Sequence, residues 1–553
     1  MKSYASGMSV GPLRGETIGQ CLDETVSRVP ECLALVSCHQ GVRLSWRELS
    51  AHVNRVALGL LAQGIERGDR VGIWSPTRAE WPLLQLAAAK TGAVLVNVNP
   101  AYRSEELAFA LRQSGTRLLV MASRFRTSDF LGTLTEVRAS LPALERVVVF
   151  DEERAGGGDD LLWREFVAAG EVVDPVLLSH REAGLDVDDA INIQYTSGTT
   201  GIPKGATLSH HNVLNNGASV AEVLGYSEVD RVCVPTPMYH CFGSVGGTMA
   251  CLASGAAMVY PAPAFEPDAT LEAIAQQRCT SIYGVPSMFI AMLESARFSE
   301  FDLSSLRTGA MAGAPCPVEV MKRVVSEMHA QEMTIAYGMT ETSPVATMTR
   351  RSDDLARRTS TVGTAFPHVE VKVVDPSSGA TVPVGLPGEI CSRGYLVMKG
   401  YWDDLDATRD AVDENGWMHT GDLGVMDARG YLNIVGRSKD TIIRGGENIY
   451  PREVEEILFA HPAVSAVQVI GVPDARLGEE VMAWIAFREG FGASEEELGA
   501  FCRQRVAHFK VPRYWKVVKE FPMTVTGKVQ KYRMREIAIS ELDLGHAAAI
   551  PTA

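Results

Sequence analysis

The sequence predicts an α/β protein: a large N-terminal part built on a mostly parallel sheet, then a small β-barrel, then a compact α+β unit. Three observations predict it. Helical periodicity alternates with short apolar runs near the start, Pro- and Gly-punctuated short strands follow between Val362 and Tyr401, and the pattern changes again after Gly436. A chain of 553 residues holds several folding units, at roughly 100 to 200 residues each.

Taken in order, S-W-R-E-L-S-A-H-V-N-R-V-A-L-G-L-L-A-Q-G repeats its apolar residues at helical spacing and leads into the strand-like D-R-V-G-I-W-S. A second pair follows, A-E-W-P-L-L-Q-L-A-A-A-K-T-G and A-V-L-V-N-V-N-P. Strands separated by helices run parallel and are covered on both faces. V-E-V-K-V-V-D-P-S-S-G and P-V-G-L-P-G-E-I-C-S-R-G carry hairpin and small-barrel signals. Pro451 opens a helix whose acidic residues lie near its start, where the helix dipole favours them. The strands V-S-A-V-Q-V-I-G-V and M-A-W-I-A-F and the helix from Ser494 to Val506 complete the last unit.

With 52 Lys plus Arg against 67 Asp plus Glu, the net charge is −15, which opposes attraction to nucleic acid or to an anionic membrane surface. A local basic pocket for a nucleotide remains compatible with that total. No apolar run is long enough to span a bilayer, and the opening residues lack an apolar signal core, so a cytoplasmic protein without integral membrane association is expected. The ten cysteines are scattered without a Cys-x-x-Cys pair, which argues against a zinc site or a disulfide framework.

The strongest chemical signal is Y-T-S-G-T-T-G-I-P-K-G, directly after the strand-like I-N-I-Q-Y. Thr196, Ser197, Thr199 and Thr200 offer hydroxyls, Gly198, Gly201 and Gly205 offer bare backbone N–H groups, and Lys204 adds a positive charge. That set suits a polyphosphate. It is not a Walker loop, because no glycine precedes Lys204 and no Ser or Thr follows it.

This segment resembles the phosphate loop of the acyl-adenylate-forming superfamily. Further motifs stand in that family's order: A-Y-G-M-T-E-T-S-P from Ala336, H-T-G-D-L-G from His419, G-R-S-K-D-T-I-I-R-G-G-E-N-I-Y-P from Gly436 and P-M-T-V-T-G-K-V-Q-K from Pro522. The pattern is most similar to medium-chain acyl-CoA synthetases. The resemblance implies an N-terminal domain (1–436) of two α/β sheet subdomains plus the barrel, a hinge at 437–440, and a mobile C-terminal domain (441–553). It implies ATP, Mg2+ and CoA as co-substrate, with small molecules as the partners and a homodimer as one possible assembly.

Residue by residue, Tyr337 offers an aromatic plate for adenine, while Thr340 and Glu341 offer oxygens for Mg2+. The resemblance carries Gly338 along with them and makes Thr200 and Glu341 the metal ligands. Asp422 is suited to accept from both ribose hydroxyls and Arg437 to hold ribose or phosphate. Gly313, Ala314 and Pro315 resemble the adenine-binding turn. Lys528 is the expected catalytic cation, because negative charge builds on bridging and leaving oxygens when a carboxylate attacks the α-phosphorus. The resemblance places the pivot at Lys439, and Gly445 and Gly446 are expected to let a slender pantetheine arm pass close to the backbone.

The acyl-binding stretch is matched by P-T-P-M-Y-H-C-F-G-S-V-G-G, where His240 resembles the residue bordering the acyl carboxyl. Tyr239, Cys241 and Phe242 stand where amino-acid-activating relatives carry an Asp, so an amino acid substrate is disfavoured. On a helix starting near His240, Gly243, Gly246 and Gly247 would share one face and either open a groove or allow close helix packing. Val285, Met288, Met311 and Met339 are expected to line that groove. A fatty acid of medium or longer chain is the expected substrate and an aryl acid the second reading. Two further readings stay open on the same residues: transfer of the acyl group to a carrier protein or an amine, and a nucleotide-binding regulator without turnover.

Overall fold

The computed structural model describes residues 1–9, 11–151, 160–196, 203–314, 316–437, 440–445, 447–523 and 529–548. Two large sheets organise the N-terminal part. The nine-stranded sheet contains the run Glu332–Tyr337, Thr308–Met311, Ser281–Gly284, Arg231–Cys233, Ala257–Tyr260 and Leu33–Ser37, with every neighbour in that run parallel. The eight-stranded sheet is parallel from Leu161–Leu162 through Ala190–Thr196 and ends in the antiparallel strands Lys204–Ser209 and Gly400–Tyr401.

These strands are short and buried on both faces, as parallel strands under helices must be; all four residues of Ala257–Tyr260 are buried. One apolar core joins the sheets, drawing Ile73 and Leu95 from one and Val259, Ile282 and Met311 from the other. Between them the helix Glu80–Thr91 is buried from Trp81 onward, which explains why its sequence is apolar nearly all round. Its Gln85 Nε2 donates to the Ser244 carbonyl at 3.1 Å, tying this central helix to the predicted acyl-binding stretch.

The hairpin region forms a five-stranded antiparallel sheet that reaches beyond Tyr401, through Met418–Met426 to Leu432–Arg437. Its other edge is Tyr4–Ser6, which pairs with Val369–Val374. Three residues carry no periodicity, so this N-terminal strand has no local sequence signal.

The last unit has its own core, built on Ile442, Val454, Val469, Val481 and Ile485. Pro451 opens the helix Pro451–Phe459, as expected. This helix also meets the N-terminal part: Arg452 Nη1 donates to the Ile434 carbonyl at 2.9 Å, and Phe459 packs on the main core and on the C-terminal core alike. Among the described residues no helix is long and apolar enough to cross a membrane. All ten cysteines are free.

Candidate active site

Four neighbouring parallel strands of the nine-stranded sheet deliver most of the candidate residues from their carboxyl ends, where open α/β sheets bind ligands. Arg231–Cys233 leads to Tyr239, His240 and Phe242; Ser281–Gly284 leads to Val285; Thr308–Met311 ends on Met311 and runs into Gly313 and Ala314. Glu332–Tyr337 ends on Tyr337 and continues into Gly338, Met339, Thr340 and Glu341. The eight-stranded sheet adds Thr196 and Lys204 from a hairpin in which these two residues face each other. The barrel strands add Asp422 and Arg437, which are also register partners.

Glu341 is the centre of the first group. It is only 4% exposed, and its Oε1 accepts from Tyr401 Oη at 2.8 Å and from Thr196 Oγ1 at 3.3 Å. Lys204 Nζ lies 5.1 Å from the centre of the Tyr401 ring, close enough for a cation–π contact. Burial first, then the neighbouring Glu341 carboxylate, pushes the Tyr401 phenol well above its ordinary range, so it remains a donor at neutral pH. A buried carboxylate beside a hydroxyl is a hard-oxygen donor set, which fits Mg2+ rather than a softer metal.

Asp422 is the centre of the second. Its Oδ1 accepts from Arg437 Nε at 2.9 Å and its Oδ2 from Tyr337 Oη at 2.9 Å. The Asp422 charge is the largest cause raising the Arg437 pKa, so the guanidinium stays charged. Burial, followed by Asp422, likewise raises the Tyr337 phenol. Tyr337 therefore spends its hydroxyl on the ribose candidate while it stands at the carboxyl end of its strand. Gly313 and Ala314 form an exposed turn, with Gly313 at φ +82°.

Gly338 holds these groups in register. A Cβ placed on it would sit 2.0 Å from the Pro344 carbonyl oxygen and 3.0 Å from the Ala346 nitrogen. Gly338→Ala is expected to cost about 1–3 kcal/mol through this backbone clash and to displace Tyr337 and Glu341 together. Thermal melting and the ATP-dependent activity should both fall; a variant with a lowered melting point but full activity would contradict the registering role.

The acyl-binding stretch departs from expectation. Phe242–Met249 is a π-helix, not an α-helix starting at His240. With its wider turn, Gly243 and Gly247 lie on one side and Gly246 on another. A Cβ on Gly243 would meet the Pro237 carbonyl oxygen at 2.5 Å, and one on Gly247 would meet Val234 Cγ1 at 3.1 Å. These two glycines permit close packing and open no groove. Gly246 faces Phe242 and Tyr283, whose rings stack with centroids 5.5 Å apart. Val285, Met288 and Met311 are buried, Val285 against the Gly313 turn, and Met339 is half-buried. His240 Nδ1 accepts from the Phe242 N–H at 3.2 Å, and Cys241 Sγ lies 3.5 Å from Thr340 Oγ1, joining the acyl stretch to the Glu341 turn.

Gly445 sits in the C-terminal unit at φ +60°, its N–H donating to the Leu477 carbonyl at 2.8 Å. Ser197, Gly198, Thr199, Thr200, Gly201, Pro315, Lys439, Gly446 and Lys528 lie outside the described residues. Sequence reasoning missed Tyr401. It stands in K-G-Y-W, whose residue types match no binding or catalytic pattern.

Residues 22–402 match the AMP-binding enzyme family and residues 453–528 match the AMP-binding enzyme C-terminal domain. The chain is 44% identical to the putative acyl-CoA synthetase YngI of Bacillus subtilis, over 96% of this chain and 98% of that protein. It is 43% identical to the mitochondrial medium-chain acyl-CoA ligase ACSF2 of Danio rerio, over 98% of this chain and 91% of that protein. Among solved structures it superposes on the anthranilate CoA ligase AuaEII in complex with anthranoyl-AMP, with a TM-score of 0.85 and 27% identity over 97% of this chain and 99% of that one. The family match and these relatives make this an AMP-forming acid–CoA ligase, which uses ATP with Mg2+ and takes CoA as co-substrate. The chain belongs to the AMP-binding enzyme family.

Proposed function

We propose that this enzyme activates a medium- to long-chain fatty acid and passes the acyl group to CoA. In the first step a carboxylate oxygen attacks the α-phosphorus of ATP, and the bond from that phosphorus to the bridging oxygen breaks to release pyrophosphate. In the second, the CoA sulfur attacks the acyl carbon, the C–O bond to AMP breaks, and the thiol proton is lost to solvent. Asp422 and Arg437 would grip the ribose, the Gly313–Ala314 turn and Tyr337 the adenine, and Lys204 the phosphates. Mg2+ held by Glu341 and the hydroxyl loop would neutralise phosphate charge when bound.

Lys528 would supply the cation for the first step only. The two half-reactions need different groups around one acyl carbon, so we place a hinge at 437–440 between an N-terminal domain (1–436) and a C-terminal domain (441–553), pivoting at Lys439. Rotation would exchange Lys528 for the loop of Gly445 and Gly446. The free cysteines support a reducing compartment, for which we propose the cytoplasm.

The acyl wall carries the substrate assignment. Tyr239 to Gly247, Tyr283 to Met288 and Met311 to Ala314 contain no Asp, Glu, Lys or Arg, and Met339 adds another apolar side chain. An apolar acid needs no partner for a second charge, and methionines accommodate a flexible chain. Acid-dependent AMP formation with CoA, measured across saturated fatty acids and benzoates, tests this reading. A single optimum among the fatty acids is expected, whereas benzoates turned over better than every fatty acid would give the aryl reading. That reading draws on the stacked Phe242–Tyr283 wall and on the anthranoyl-AMP held by AuaEII. A holo carrier protein preferred over CoA would move the acceptor assignment instead.

The same stack supplies a sharper prediction. Phe242→Ala should open space beside Gly246 and move the optimum to longer acids, each added buried methylene contributing about 0.8 kcal/mol. The ratio of kcat/KM for dodecanoate to that for octanoate should rise at least ~10-fold, from at most four such methylenes. An unchanged ratio would remove Phe242 from the acyl pocket.

A further inference from the structure

Asp422 does not sit on a regular strand. On one side of it His419 pairs with Cys391, and on the other Leu423 pairs with Glu389, so the single residue Ile390 faces Thr420, Gly421 and Asp422 together. The strand bulges there, and Gly421 crosses the bulge at φ +69°, where glycine is favoured. A bulge forfeits ladder hydrogen bonds, and side chains stand in for them. Thr420 Oγ1 donates to the Ile390 carbonyl at 2.7 Å and accepts from the Asp422 N–H at 3.1 Å.

Glu389 bridges the rest. Its Oε1 accepts from the Gly421 N–H at 3.0 Å, at the crest of the bulge, and its Oε2 lies 2.9 Å from His419 Nδ1, at the base. The same imidazole has Cys391 Sγ 3.5 Å from Nδ1 and Asp413 Oδ2 3.8 Å from Nε2. The Glu389 side chain is 17% exposed, so water reaches it poorly and the bridge has little competition. From this bulge the Asp422 carboxylate is aimed at Tyr337 Oη and Arg437 Nε.

We infer that Glu389 is a positioning residue for nucleotide recognition: by clamping both ends of the bulge it sets where the Asp422 carboxylate meets the ribose. The inference rests on the proposed role of Asp422 as the ribose acceptor. A carboxylate out of place still attracts Arg437 and still leaves the phosphate and adenine contacts, so the loss should fall on the ribose hydroxyls specifically.

The test compares kcat/KM for ATP and for 2′-deoxy-ATP in the full-length enzyme, with saturating fatty acid and CoA. The parent should prefer ATP by ~10–100-fold, as the loss of one charge-assisted hydrogen bond implies. Asp422→Asn should erase most of that preference. Glu389→Ala should bring it within ~3-fold of unity through a raised KM for ATP, with the KM for fatty acid unchanged, and should add nothing further in combination with Asp422→Asn. Glu389→Gln should restore part of the preference, because its amide oxygen still accepts from Gly421.

Should Glu389→Ala fail to fold, Thr420→Val removes another bond of the same bulge and should lower the preference as well. A Glu389→Ala enzyme of lowered kcat that keeps the parental ATP preference would overturn the inference and leave the residue a role in barrel stability alone. An Asp422→Asn enzyme that keeps the preference would instead overturn the ribose assignment, and this inference with it.

Discussion

Lys528→Ala is expected to reduce fatty-acid-dependent pyrophosphate release by ~10³-fold or more while leaving the melting temperature unchanged. Two anions meet when a carboxylate approaches the α-phosphate, and charge then gathers on the oxygen leaving with pyrophosphate. A cation that reaches those oxygens is strengthened by a site closed to water, and three decades of rate correspond to about 4 kcal/mol of transition-state stabilisation. The second half-reaction does not use this lysine if the C-terminal domain turns between steps. Synthetic acyl-AMP supplied with CoA should therefore still give acyl-CoA at close to the parental rate. A variant that loses both half-reactions equally would contradict the division of labour, and one that keeps near-normal adenylation would contradict the assignment of Lys528.

The second large effect is expected at Glu341. This carboxylate is buried, accepts from Tyr401 and Thr196, and is the oxygen donor proposed above for Mg2+. Glu341→Ala should lower kcat/KM for ATP by ~10²–10³-fold, the scale of removing one preorganised electrostatic partner of a transferring phosphoryl group. The Mg2+ concentration for half-maximal activity should rise with it. Tyr401→Phe removes only the hydroxyl that holds Glu341 Oε1, and metal partners of that kind typically cost about 10- to 100-fold, so a smaller rise in the same Mg2+ titration is expected. An unchanged Mg2+ requirement in Glu341→Ala would place the metal elsewhere.

Much of the architecture was legible because it is local. The alternation around Trp46–Ala62, Arg70–Trp74, Glu80–Thr91 and Val94–Val98 follows directly from apolar spacing, and Pro451 marks a helix start because proline suits the first turn. Tyr337–Glu341 stood out for a different reason, its match to a family motif, and the structure adds that Glu341 is buried and accepts from Tyr401 and Thr196. What the sequence concealed depends on partners far along the chain. Tyr401 reaches Glu341 only because Gly400–Tyr401 pairs with Ala206 and Thr207 as an edge strand. Glu389 reaches Gly421 only across two barrel strands. The glycines after His240 mislead because their spacing suits an α-helical face, whereas the π-helical turn redistributes them so that Gly243 meets backbone.

The barrel shows how these two kinds of information combine. Hairpin signals announced strands near Val369–Val374 and Gly388–Gly394, but Asp422 is aimed by a bulge that only the pairing with Met418–Met426 creates. Residue types suggest the chemistry, and the register decides which side chains surround the Asp422 carboxylate.

We propose that an acid is joined to AMP before any thiol enters. Exchange of labelled pyrophosphate into ATP, measured with octanoate and Mg2+ in the absence of CoA, tests it most directly. Exchange is expected to appear on adding the acid and to disappear without it. Exchange that requires CoA, or that proceeds equally with no acid present, would contradict it.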